Sequence, residues 1–112
     1  MDDRYTALVQ RLVEAVLNSP GDTYPDTRRA VEGRAAALGG RPGAATAELP
    51  AALDAYVDKV ARHAYKVTDD DIAALQQAGY SLDAIFEVTL SAALGAGMSR
   101  LERGLALVKG GQ

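Results

Sequence analysis

The sequence predicts an all-α protein, a compact bundle of about five helices that ends in an αα hairpin with a long last helix. Three observations predict it. Apolar residues recur at helical spacing in successive stretches. Proline, glycine and capping Ser, Thr or Asp residues bound those stretches. No stretch alternates apolar and polar residues with the period of two that a half-buried strand needs.

The first helix rests on Tyr5, Leu8, Val9, Leu12, Val13, Val16 and Leu17, which fall on one face. Asp2 or Asp3 charges its start favourably, and Ser19-Pro20-Gly21 ends it. A second helix opens at Pro25, whose fixed φ suits a first turn, with Val31, Ala35 and Leu38 inward and Gly39-Gly40 as its stop. Arg41 to Leu49 reads as a loop. The third helix opens around Pro50, with Leu53, Tyr56, Val57, Val60 and Ala64 as its apolar stripe. Thr68 caps a short fourth helix with Asp71 at the third helical position, a shorter partner than the Glu or Gln of a standard capping box. Ile72, Leu75 and Ala78 form its buried side, and Gly79 suits a left-handed end. Ser81 caps the last helix. Leu82, Ile85, Phe86, Thr89, Leu90, Ala93, Leu94, Gly97, Met98, Leu101, Leu105 and Val108 keep helical phase, which predicts one long helix across Gly95 and Gly97. Those glycines mark a close helix crossing or a kink.

A chain of 112 residues is expected to form one domain, residues 1–112. Hydrophobic residues make up 48% and aromatics only 5%, so the core must be aliphatic. Alanine buries little area, so the monomer is expected to be marginal and burial against a second subunit would remedy that. Twelve Lys and Arg against fifteen Asp and Glu give a net charge of −3, which does not attract nucleic acid. With no cysteine, thiol catalysis and Cys-ligated metals are excluded. The absence of a basic-then-apolar leader and of 18 uninterrupted apolar residues leads to the expectation of a cytoplasmic protein with no membrane contact.

The segment from Val67-Thr68-Asp69-Asp70-Asp71-Ile72 through Ala78-Gly79-Tyr80-Ser81-Leu82-Asp83-Ala84-Ile85-Phe86, with Ala92-Ala93-Leu94-Gly95-Ala96-Gly97-Met98-Ser99-Arg100-Leu101, resembles the helix–turn–helix and long following helix of the AhpD-like, carboxymuconolactone decarboxylase-like family. Arg28 to Gly40 is similar to the helix before that family's active-site segment. The resemblance implies a helical oligomer, trimeric or hexameric, with sites near subunit contacts. Its redox branch implies hydroperoxide reduction by a Cys-x-x-Cys-x-x-x-His segment with an upstream Glu. Its decarboxylase branch implies acid–base lyase chemistry on a small lactone. This chain departs from the motif. Laying His63 on the motif histidine puts Tyr56 and Lys59 at the cysteine positions. Laying Arg29–Glu32 on the upstream helix puts the motif in the Arg41–Glu48 loop, which has neither Cys nor His. Peroxidase and disulfide-reductase chemistry are excluded on either placement.

His63 is the sole histidine. It lies about 20° from Tyr56 and about 40° from Lys59 on a helical wheel. It can act as a general acid or base with those neighbours, or simply pack its ring at the edge of an apolar stripe. Arg100, with Arg103 one turn on, can clamp an anionic carboxylate or serve in structural ion pairs. Asp69-Asp70-Asp71 and Arg28-Arg29 read as a charged helix start and an exposed helix face. The tyrosines and Gly95-x-Gly97 read as packing devices.

Two functions follow. In the first, the chain is a catalytically degenerate AhpD-like protein that binds a small molecule or assembles. In the second, it is an acid–base decarboxylase, isomerase or lyase using His63, Tyr56 and Lys59, with Arg100 as anion clamp. Neither needs a cofactor or metal.

Overall fold

The computed structural model describes residues 3–43 and 48–110. Among them the fold is all-helical, 80% helix with no strand, in five α-helices and one short 3-10 turn. They are α1 (Asp3–Asn18), α2 (Pro25–Leu38), α3 (Ala51–His63), the 3-10 turn Ala64–Lys66, α4 (Asp69–Gln77) and α5 (Leu82–Gly110). Asp2 and residues 44–47 of the loop, which the sequence reading covers, lie outside the described residues.

The long helix α5 packs most extensively against α2. Both helices use glycine to come close. A Cβ at Gly95 would stand 2.3 Å from the Glu32 carbonyl oxygen, and one at Gly39 would meet the Ala96 backbone and the Ser99 hydroxyl. Gly95 is therefore the close crossing that the sequence left open between crossing and kink, and α5 runs unbroken through it. Val31 and Ala35 of α2, Leu53, Val57 and Ala61 of α3, Leu75 of α4, and Ile85, Val88, Ala92 and Ala96 of α5 make the core.

The ends of the helices follow ordinary capping physics. Gly40 and Gly79 take positive φ of 99° and 103° after α2 and α4, which glycine adopts without a Cβ clash. The Arg41 and Tyr80 N–H groups then reach back to the carbonyls of Ala36 and Leu75. At α4 the Asp71 carboxylate accepts the Thr68 N–H at 2.8 Å, so aspartate completes the cap despite its shorter reach. Ser81 Oγ accepts the Ala84 N–H at 3.0 Å and caps α5.

Four expectations change. Arg28 is buried, not an exposed helix charge. Its guanidinium donates to the carbonyls of Val16 (2.7 Å) and Ser19, so it caps the C-terminal end of α1, where a cation offsets the helix dipole. Ala64 leaves the α3 stripe because α3 stops at His63 and passes into the 3-10 turn. Ala78 is exposed in the turn that ends α4. The apolar phase read along α5 marks mainly its outer side: Leu82, Phe86, Leu90, Leu101 and Val108 are exposed, whereas the buried side is Ala84, Ile85, Val88, Ser91, Ala92, Gly95, Ala96 and Ser99. By length and composition α5 could also cross a membrane, although 44% of its apolar window is buried inside the molecule.

Candidate ligand-binding cleft

The four residues singled out from the sequence separate into three places. Tyr56 is buried on α3 with its hydroxyl 2.6 Å from Thr89 Oγ1. The Thr89 proton goes to the Ile85 carbonyl at 2.7 Å, so Tyr56 is the donor to Thr89. Lys59 donates to both carboxylate oxygens of Asp71, at 2.8 and 3.0 Å, and ties α3 to the start of α4. That Lys59 contact, with the Thr68 N–H, holds the Asp71 carboxyl below the usual range. Tyr56, Lys59 and Asp71 do share a narrow cleft of about 240 Å³ between α3 and α4.

His63 and Arg100 do not line it. His63 is exposed at the end of α3, with its ring edge-on to Tyr65 at 6.0 Å. Arg100 reaches from α5 to the Ala61 carbonyl at 2.5 Å, a cap on the C-terminal turn of α3. His63 thus stands outside the cleft that Tyr56 and Lys59 line, and the Arg100 guanidinium donates to backbone.

A larger cleft, about 600 Å³, opens elsewhere, where the starts of α2, α3 and α5 converge. Three chain segments far apart in sequence build it: Asp22–Thr27 with Ala30, Glu48–Pro50 with Leu53, and Gly79–Ser81 with Ala84. Glu87 sets the first segment in place. Its carboxylate accepts the N–H of Asp22 (2.7 Å) and of Thr23 (2.9 Å) and the Thr23 hydroxyl (2.6 Å). Burial pushes the Glu87 carboxyl upward. The Thr23 hydroxyl, the two N–H donors and the nearby Arg28 charge outweigh that and hold it below its ordinary value. Gly21 leaves the space: a Cβ there would stand 2.6 Å from Glu87 Oε1. Ser81 completes the seam by donating to Asp22 Oδ2 at 2.9 Å.

Ala30, Leu49, Leu53 and Ala84 give the cleft an apolar floor. Tyr24, 82% exposed, stands at its mouth, and half-buried Tyr80 forms a wall. Asp22, Asp26 and Glu48 are its charged lining residues, with Asp26 paired to Arg29; among the described residues no Lys, Arg or His lines it. Carboxylates are tolerated there because the helix starts carry partial positive charge. An apolar floor, aromatic walls and one sign of charge suit an organic cation, whose ammonium can lie between carboxylate and ring.

The sequence could not assemble this cleft. Its tyrosines and acids sit in three separate turns with no fixed spacing, and only the packing of α2, α3 and α5 joins them. The one local signal was that Tyr24-Pro25 and Tyr80-Ser81 each place a tyrosine just before a helix start. Among the described residues no group of three or more His, Cys, Asp or Glu is placed to hold a metal. No family model, curated protein or solved structure matches this chain.

Proposed function

We propose that the chain is a non-catalytic small-molecule-binding protein and that its ligand is a small amine carrying an apolar group. The observation that carries this is the cleft of about 600 Å³ lined by Tyr24, Tyr80, Asp22, Asp26 and Glu48 over an apolar floor, with no basic residue among the described residues that line it. The apolar part of the ligand would meet Ala30, Leu49, Leu53 and Ala84, and the ammonium would meet the carboxylates. The acid–base alternative is less supported, because His63 is exposed away from Tyr56 and Lys59, Lys59 is paired with Asp71, and Arg100 caps α3. The AhpD-like kinship belongs to the same proposal: a cysteine-free, all-helical relative with a helix–turn–helix leading into a long helix, no longer doing thiol chemistry. A cytoplasmic location is proposed on the lack of cysteine alone.

An NMR titration with a panel of alkyl and aryl amines, matched carboxylates and neutral lactones tests this. Amines are expected to move the amide signals of Tyr24, Gly79, Tyr80 and Ser81, with an affinity that falls as salt rises. Glu48→Gln and Tyr24→Ala, both at exposed positions, should each weaken binding by about threefold to tenfold without unfolding the protein. Binding of carboxylates in preference to amines, or no amine response at millimolar concentration, overturns the proposal. Turnover of a lactone that depends on His63 would restore the acid–base alternative.

A further inference from the structure

The outer face of α5 is apolar along nearly its whole length. Leu82, Phe86, Leu90, Ala93, Gly97, Leu101, Gly104 and Val108 follow one another at steps of 4, 4, 3, 4, 4, 3 and 4 residues, and all are exposed. The stripe runs about 39 Å at 1.5 Å per residue. Its 11-residue repeat gives 3.67 residues per turn, so the stripe stays in phase on a nearly straight helix. Phe86 is 67% exposed and Val108 63%.

The glycines separate two uses. Gly95 is required by α2, as shown above. A Cβ at Gly97 or Gly104 would meet nothing within 4 Å among the described residues, so their packing gives no reason for either glycine. Each lowers helix stability relative to alanine. Both lie on the outer stripe, between large side chains.

Charge is distributed unevenly along the same helix. Exposed Asp83 lies near its start and exposed Arg103 and Lys109 lie near its end, where Glu102 is paired with Arg41; Glu87 and Arg100 are already engaged within the chain. From Val88 to Ser99 there is no charged residue. A parallel copy would put like ends together; an antiparallel copy puts the acidic end beside the basic one and also opposes the helix dipoles.

We infer that the outer face of α5 is an interface for a second copy of this chain, paired antiparallel about a two-fold axis that passes near residue 95. In that register Ala93 lies opposite the partner's Gly97, Phe86 opposite the partner's Gly104, and Leu82 opposite the partner's Val108. Small meets small at the crossing, and the largest side chain faces the missing one. The interface is isologous and closes at two chains. It is independent of the cleft and of any ligand there.

Because the chain has no cysteine, single cysteines report the register cleanly. Sedimentation velocity from about 5 to 200 μM should show a concentration-dependent dimer, and Phe86→Glu should weaken it at least about tenfold while the helical circular dichroism stays unchanged. In a mixture of Phe86→Cys and Gly104→Cys chains, oxidation should give mainly the mixed disulfide dimer. Phe86→Cys chains alone should cross-link poorly, since antiparallel pairing holds those positions about 27 Å apart along the axis. Efficient cross-linking of Phe86→Cys chains to one another overturns the antiparallel pairing. A wild-type monomer at every concentration, including one that floats with phospholipid vesicles through this face, overturns the interface.

Discussion

The inner and outer faces of α5 invert the usual order of size. The inner face, buried against the rest of the chain, is largely Ala, Ser and Gly, with Ile85 and Val88 as its bulk. The outer face holds Leu82, Phe86, Leu90, Leu101 and Val108. Close packing explains the inner face: α2 approaches within backbone contact, so only small residues fit, and the buried Ser91 and Ser99 return their hydroxyls to the Glu87 and Ala96 carbonyls. The outer face follows no such constraint from its own chain. Hydrophobic periodicity alone therefore points to the wrong side of this helix, since a residue's size measures the space available to it, not whether it is buried.

The contrast breaks most sharply at Gly95. Gly95→Ala places a Cβ 2.3 Å from the Glu32 carbonyl oxygen, a backbone atom that moves only if α2 moves. The expected loss is about 3 kcal/mol, overpacking outweighing the gain in helix propensity. Urea unfolding measures it; a variant as stable as the parent would show that α2 and α5 do not approach as closely as described.

Glu87, where the inner face meets the loop before α2, comes next. Glu87→Gln keeps the shape and removes the charge that three donors converge on, at a cost of about 2 kcal/mol near neutral pH. The sign with pH follows from the carboxyl being held below its ordinary value of 4.5. Its contribution is full above about 4.5 and fades as pH falls through the lower folded value. The stability gap between parent and Glu87→Gln should therefore close in acid; a gap that widens below pH 4.5 would contradict the hydrogen-bond assignment.

How much could be read in advance differs by element. The boundaries of α2, α4 and α5 were legible because Pro25, Thr68, Gly79 and Ser81 act through local backbone chemistry. The role of Arg28 was not, since its partners are carbonyls at the end of α1, and a carbonyl leaves no mark in a sequence. The cleft was hidden for a related reason: Tyr24, Glu48 and Tyr80 meet only after three helices pack. His63 drew notice for its chemistry, yet the neighbours that would use it lie on the cleft between α3 and α4, which it does not line.

The smallest effect is the most discriminating, because it uses the same substitution two residues along the same helix. Gly97→Ala adds a methyl group that meets nothing within 4 Å, at a helical position with ordinary φ. Alanine also restricts the unfolded chain, so the isolated monomer should gain about 0.5–1 kcal/mol, opposite in sign to Gly95→Ala. Chemical unfolding at low micromolar concentration measures the monomer term alone. A loss of stability under those conditions would mean that something in the same chain already covers Gly97, and the two faces of α5 would no longer be distinct. A gain leaves Gly97 as a residue whose cost one chain does not repay, and places its reason outside that chain.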